Sequence, residues 1–405
     1  MKIKKLIAVM SLAGLAVPGI AFATNGYFSD GFGVKSSGMA GVGIALPQDA
    51  LAAATNPAGM VLVGDRVDFG LTWFRPVRQA QKIGGASFDG NDTSNFFIPE
   101  FGYNKMLNPN MSVGVSVFGN GGMNTDYKTN PGFSAPNDSA GVDLAQLFIA
   151  PTFAMKINPD NAIGISLNLA YQQFAAKGLA GFSPMSSAPS NLTNQGHDSS
   201  TGWGVRIGWT GQVTPDVTLG ATYQSKTKMG KFSDYQGLFA EQGGFDIPAN
   251  YGVGIAVKVT PETTVAADIQ TIEYSDVKSI ANLNNAYTGG LLGNNNGPGF
   301  GWRDMTVFKL GVSHTYSQNL TLRAGVSTGR QPIPSDQTTF NVLAPAVVET
   351  HLTLGATWTL ANKAELSVGY MHAFNKEVDG NGTPTGGYNL KMHEDALGIA
   401  YGWKI

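Results

Sequence analysis

From about residue 66 to the C-terminus, apolar residues alternate with small or polar ones, stretch after stretch, and the gaps between stretches are by turns very short and very long. A period of two belongs to strands with one face in an apolar medium and the other in a polar one. In the last stretch Leu397, Ile399, Tyr401, Trp403 and Ile405 share one face, and Gly398, Ala400, Gly402 and Lys404 share the other. The first face suits lipid and the second a lumen.

The same template fits segments near 66–75, 96–106, 111–127, 144–157, 160–174, 201–213, 216–228, 248–259, 262–274, 304–316, 319–329, 348–360, 363–374 and 394–405. That is about fourteen strands of membrane-crossing length, an even number as single-chain bacterial barrels require. Asn158-Pro159, Thr214-Pro215, Thr260-Pro261, Ser317-Gln318 and Ala361-Asn362 make tight turns. Between them fall loops of roughly twenty residues, the asymmetry of outer-membrane barrels with short periplasmic turns and long extracellular loops. A soluble all-β protein has no reason to alternate loop length. Trp302, Tyr274 and Tyr370 beside long loops, and Tyr316, Trp358 and Trp403 toward the other end, are read as two aromatic girdles. The expected fold is all-β: a transmembrane antiparallel β-barrel of about 14 strands over residues 63–405, in the bacterial outer membrane.

Residues 1–23 read as a secretory signal, with Lys2, Lys4 and Lys5 before an apolar Leu6 to Ala16 and a cleavage site at Ala21-Phe22-Ala23. No later stretch is apolar enough to cross a bilayer as a helix, so insertion has to be by closed strands. Cysteine is absent, which excludes thiol chemistry and Cys-ligated metals. Charged residues are 13% of the chain and the formal net charge is -2, so there is no basic face for nucleic acid. The five histidines, His197, His314, His351, His372 and His393, have no metal-pair spacing and no close Ser and acid partner. No enzyme and no cofactor are expected. An energised transporter of about twenty-two strands would need a longer chain.

Residues 24–62 do not alternate. Asp49 is placed to cap a short helix from Ala50 to Ala54, which Asn56-Pro57 ends. Some forty residues before the first strand are too few for a domain and enough for a plug in the lumen. In the third strand, Met111, Val113, Val115 and Val117 alternate outward until Gly119-Asn120-Gly121-Gly122 interrupts, and Pro99 and Pro151 remove ladder donors from the neighbouring strands. This is where the wall is expected to open, or else where an extracellular loop begins early.

The order signal peptide, GMAG, LPQDALAAATNPAGM and then about fourteen strands resembles the FadL family of long-chain fatty acid and hydrocarbon transporters. The resemblance runs end to end, and its strongest element is Asn56-Pro57-Ala58, matching the family's Asn-Pro-Ala hatch motif. It implies a plugged, monomeric barrel that passes long-chain fatty acids or other hydrophobic small molecules sideways into outer-membrane lipid. It further implies a hatch at residues 24–62 gated around Asn56, Pro57 and Ala58, and a lateral opening at Gly119, Asn120, Gly121 and Gly122.

Strand phase turns Arg206, Lys309 and Arg323 inward with Asp268 and Glu365, so those cations are candidates for a fatty carboxylate; inward charges in barrels also commonly pair with one another. Burying a chain of about 14 to 16 carbons yields roughly 11 to 13 kcal/mol gross, against roughly 1.5 to 3 for one charge-assisted hydrogen bond. The apolar channel therefore sets affinity, and a basic residue does not separate fatty acid from hydrocarbon. A general porin and an outer-membrane lipid hydrolase are the alternatives. The first would show charged rings around its pore and the second a Ser-His couple at the membrane edge.

Overall fold

The computed structural model describes residues 24–405, and the expected signal peptide, residues 1–23, lies outside the described residues. The barrel strands are β1 (Arg66–Lys82), β2 (Phe96–Asn108), β3 (Met111–Tyr127), β4 (Ala140–Lys156), β5 (Asn161–Lys177), β6 (Asp198–Thr214) and β7 (Val217–Gln224). They continue as β8 (Asn250–Thr260), β9 (Thr263–Ile272), β10 (Met305–Ser317), β11 (Leu320–Gly329), β12 (Thr350–Thr359), β13 (Glu365–Val378) and β14 (Tyr388–Lys404). Two short strands, Ser87–Asp89 and Lys228–Met229, are appended to β1 and β6. Neighbours pair antiparallel in sequence order, and β1 closes on β14 from Arg66↔Lys404 to Lys82↔Tyr388. Closure removes the sheet edge, the condition for strands to stand in hydrocarbon.

Side chains follow the period of two. On β5, Ile163, Ile165, Leu167, Leu169 and Tyr171 are exposed, whereas Ala162, Ser166, Asn168, Ala170 and Gln172 are buried. Strand ends differ from the sequence pattern where loops join the ladder: β1 runs on to Lys82, β14 begins at Tyr388, and β7 stops at Gln224. Tyr316, Trp358 and Tyr370 are exposed as girdle residues should be. Tyr274 and Trp302 are not girdle residues. They are buried with Tyr27 under the long loops, their rings 5.5 and 6.0 Å from its own, because those loops fold inward over the barrel mouth.

The lumen is filled by the chain's own N-terminal segment. It contains a single helical turn, Val34–Ser37, and 3-10 turns at Ala52–Ala54 and Pro57–Leu62. The expected helix from Ala50 to Ala54 is thus shorter, and Asp49 Oδ1 accepts from Leu51 N at 3.0 Å without capping a full helix. The reason is competition from the barrel: Ala50 N donates to Asp68 at 2.9 Å and Ala50 O accepts from Ser116 Oγ at 2.7 Å.

Candidate functional site: a pinned lumen segment beside an interrupted wall

The segment lies against bare backbone. Register-matched glycines Gly164↔Gly208, Gly220↔Gly254 and Gly311↔Gly325 sit on adjacent strands. They face Asn56-Pro57, Ile44 and Met39 respectively; a Cβ at Gly164 would stand 2.4 Å from the Pro57 carbonyl carbon, and one at Gly208 1.9 Å from Asn56 Oδ1. Such approaches require glycine. The abundance of glycine in this chain is therefore partly the footprint of the segment on the wall.

Barrel carboxylates take the segment's amides. Glu100 accepts from Gly33 N and Val34 N at 3.0 and 3.1 Å, and Asp268 Oδ2 from Gly43 N and Ile44 N at 2.8 and 3.1 Å. Barrel donors take its carbonyls: Asn104 Nδ2 reaches Met60 O and Gly64 O, both at 2.8 Å. Asn56 ties two of these surfaces together. Its amide donates to Ile44 O at 2.7 Å and to Trp209 O of β6 at 2.9 Å, while its Oδ1 caps Ala58 N at 3.1 Å. At the other end an ionic cluster joins Lys35 to Glu365 at 2.5 Å, Glu365 to Arg66 at 2.9 Å, and Arg66 to Asp68 at 2.6 Å.

The wall is interrupted between β2 and β3. Their pairing runs only from Asn108↔Met111 to Phe101↔Val117. Beyond it, β2 stays with β1 as far as Phe74↔Phe96, and β3 stays with β4 as far as Tyr127↔Ala140. The two strands diverge at a β-bulge, where the β3–β4 register slips between Gly119 and Gly121. Gly119 to Gly122 thus belong to a continuous strand and do not start a loop. Pro151 has a neighbouring effect, since β4 and β5 lose their pairing between Ile149↔Leu169 and Thr152↔Ser166.

The N-terminal residues are fastened to that bulge. Ser29 N donates to Asn120 O at 3.1 Å and Gly122 N to Tyr27 O at 3.0 Å. Asn120 is also held from inside by an amide chain, Asn120 Nδ2 to Gln146 at 3.0 Å, Gln146 to Gln172 at 3.1 Å, and Gln172 to Ser200 at 3.0 Å. On the inner side of the gap is a cavity of about 50 Å³ lined by Asp30, Phe32, Phe74, Ile98, Phe118 and Met371, among others. On its outer side is a cleft of about 880 Å³ whose edges include Phe97, Pro99, Asn124 and Asp143. Phe32 of the segment meets Phe118 of β3 edge-on at 4.8 Å between the two.

The profile of the outer membrane protein transport protein family (OMPP1/FadL/TodX) matches residues 15–405. The chain belongs to this family. It is therefore an outer-membrane protein with the fold of the FadL/TodX transporters of hydrophobic compounds. Solved structures of similar fold include the Pseudomonas putida toluene transporter TodX, at 18% identity and TM-score 0.73 over 93% of this chain and 99% of that one. A Pseudomonas aeruginosa FadL homologue matches at 15% identity and TM-score 0.70 over 94% and 99%. The Ralstonia pickettii toluene transporter TbuX matches at 21% identity and TM-score 0.66 over 93% and 99%. No curated protein sequence matches the chain.

Within this FadL/TodX fold the inward cations expected to meet a carboxylate are already engaged. Arg206 donates to Thr55 O at 2.8 Å and Gln224 Oε1 at 2.5 Å, Lys309 donates to Asp30 O, and Arg323 donates to Gln48 Oε1 at 2.8 Å and Thr357 Oγ1 at 2.7 Å. Each holds the lumen segment. Glu100, Asp68 and Asn104, which hold it too, were not singled out by the sequence. Their signal is a polar residue at an inward phase of an apolar strand, as in Phe97-Ile98-Pro99-Glu100.

Proposed function

We propose that this protein is a passive outer-membrane channel for hydrophobic compounds, long-chain fatty acids or related hydrocarbons, gated by movement of residues 24–62 and discharging sideways between β2 and β3. One observation carries this: the ladder between β2 and β3 ends at the bulge to which Tyr27 and Ser29 are hydrogen-bonded. Ser29 and Gly119 border the inner cavity, and the outer cleft begins farther along the same two strands, at Phe97 and Pro99 of β2 and Asn124 of β3.

Volumes give the gating step its reason. An engineered apolar cavity that holds benzene has about 150 Å³, whereas the chamber here has about 50 Å³. A substrate has to displace Ser29–Phe32 before it can sit between Phe74, Ile98 and Phe118. Displacement in turn loosens the bonds to Asn120 and Gly122 at the bulge. Substrate arrival and release at the gap are then one event, with no energy source beyond the partition of an apolar molecule from water.

Support for the substrate class comes from the lining. Phe32, Phe74, Ile98 and Phe118 present apolar surface, and of the charged groups lining the cavity Asp30 belongs to the segment and Glu100 accepts from its amides. The test is uptake into proteoliposomes of a labelled long-chain fatty acid, of toluene and of a small sugar. Uptake of the apolar probes alone supports the proposal; sugar permeation without them indicates a general porin.

A further inference from the structure

In the buried interior, one row of inward side chains crosses the strands from β9 to β14. Register pairs run Asp268↔Lys309, Lys309↔Ser327, Ser327↔His351, His351↔Ala373 and Ala373↔Glu394. Five of the six positions in this row carry polar or charged groups; Ala373 is the exception. His351, Ala373 and Glu394 are all fully buried. His351 and Glu394 flank the alanine at a backbone separation of roughly 10 Å, two strand spacings.

The polar groups on either side of Ala373 carry atoms without a hydrogen-bond partner. His351 Nε2 is unsatisfied, and Glu394 is the one carboxyl group among the described residues with both oxygens buried and unsatisfied. Arg78 of β1 supplies opposite charge to Glu394, but its donors go elsewhere, to Gly90 O, Thr93 O, Asn124 and Asn91. The next inward pair below, Met371↔Ala396, lines the cavity beside Phe74. Two unpaired polar groups in this setting are costly unless something meets them.

Proton positions define what fits. Ser327 Oγ has one hydrogen, and it goes to Asp30 Oδ1 at 3.0 Å, because the carboxylate has none to give. The 3.1 Å contact between Ser327 Oγ and His351 Nδ1 therefore has Nδ1–H as donor. In the neutral imidazole that leaves Nε2 a bare acceptor. A ligand group must thus donate toward His351 and pair with a carboxyl group on the other side. A hydroxyl does both, donating its one hydrogen to His351 Nε2 and accepting from Glu394, which burial without a partner keeps protonated; a carboxylate has no hydrogen to give His351.

We propose that the buried face of Ala373, between His351 and Glu394, is a recognition point for hydrophobic molecules bearing a hydroxyl group, phenols or alcohols, in preference to carboxylates. The proposal rests on the channel function above and names its substrate class. The hydroxyl is held over Ala373 while the apolar body lies toward Met371, Phe74 and Ile98.

The experiment is proteoliposome uptake of p-cresol and toluene, which differ by one hydroxyl, with the full chain, Glu394→Leu and Ala373→Val. Barrel folding is checked by heat-modifiable gel mobility. Cresol uptake relative to toluene should fall roughly fivefold in Glu394→Leu, the loss of one neutral hydrogen bond. It should also fall in Ala373→Val, which adds bulk between the two polar groups while keeping both, so the test stands even if Glu394→Leu does not fold. Toluene uptake with an unchanged cresol ratio in the folded variants would overturn the hydroxyl site and leave the channel intact. Wild-type vesicles passing no apolar probe would overturn both.

Discussion

Gly121→Ala isolates the contact between the N-terminal residues and the bulge. A Cβ at Gly121 would stand 2.0 Å from Tyr27 O, so that carbonyl must retreat by about 1.4 Å to reach the 3.4 Å of ordinary contact. Gly122 N now lies 3.0 Å from the same oxygen, and such a retreat takes it beyond bonding distance. Tyr27 cannot move alone, since its N–H is bonded to Tyr274 at 3.2 Å and its ring packs against Phe28, Phe245 and Trp302. The companion bond from Ser29 N to Asn120 O, at 3.1 Å, should go with it. Two backbone bonds at about 1 kcal/mol each amount to about 2 kcal/mol, a shift of roughly thirtyfold toward the released segment. Hydrogen exchange followed by mass spectrometry on the peptide covering residues 24–32 should be faster by about that factor, with β5 and β6 amides unchanged. Unaltered exchange at Ser29 in a folded Gly121→Ala barrel would refute the coupling of segment to bulge.

Asn56→Ala removes two donor bonds and a cap and leaves Ile44 O and Trp209 O without that partner; it should destabilise the docked segment by about 2 to 4 kcal/mol, seen as protease cleavage within residues 24–62 while heat-modifiable barrel mobility persists. Arg206→Met should alter uptake of fatty acid and of toluene together, because Arg206 holds Thr55 O; a loss confined to the fatty acid would return Arg206 to the carboxylate. His197, in the loop before β6, has its pKa raised above 6.5 by its 2.8 Å contact with Asp143 on the cleft edge. The contribution of that contact is full below pH 6.5 and fades as pH rises through the elevated value, so the His197 NMR titration midpoint should exceed 6.5 and fall back in Asp143→Asn.

Much of this fold could be read from single strands, because a lipid-facing row and a lumen-facing row each obey a period of two. Ile163, Ile165, Leu167 and Leu169 declare β5 without any partner. The tight turns were equally local. What the sequence concealed depends on residues far apart in the chain. Arg206, Lys309 and Arg323 were correctly phased inward, yet their partners Thr55, Asp30 and Gln48 lie 151, 279 and 275 positions away. The paired glycines looked like generic small lumen residues until Asn56-Pro57, Ile44 and Met39 were placed against them. Tyr274 and Trp302 misled for the same reason: being beside a long loop does not reveal that the loop folds inward. The run Gly119 to Gly122 was legible as an irregularity, but only the register tells that β3 leaves β2 and keeps β4.

The native chain has no cysteine, which allows the two edges of the gap to be joined chemically. Phe97→Cys on β2 and Asn124→Cys on β3 both border the outer cleft. Bridged by a reducible bifunctional thiol reagent, the double variant in proteoliposomes should stop taking up labelled long-chain fatty acid and toluene, and should recover on reduction. Each single variant treated alike should transport normally. Undiminished uptake through the bridged barrel would contradict exit between β2 and β3.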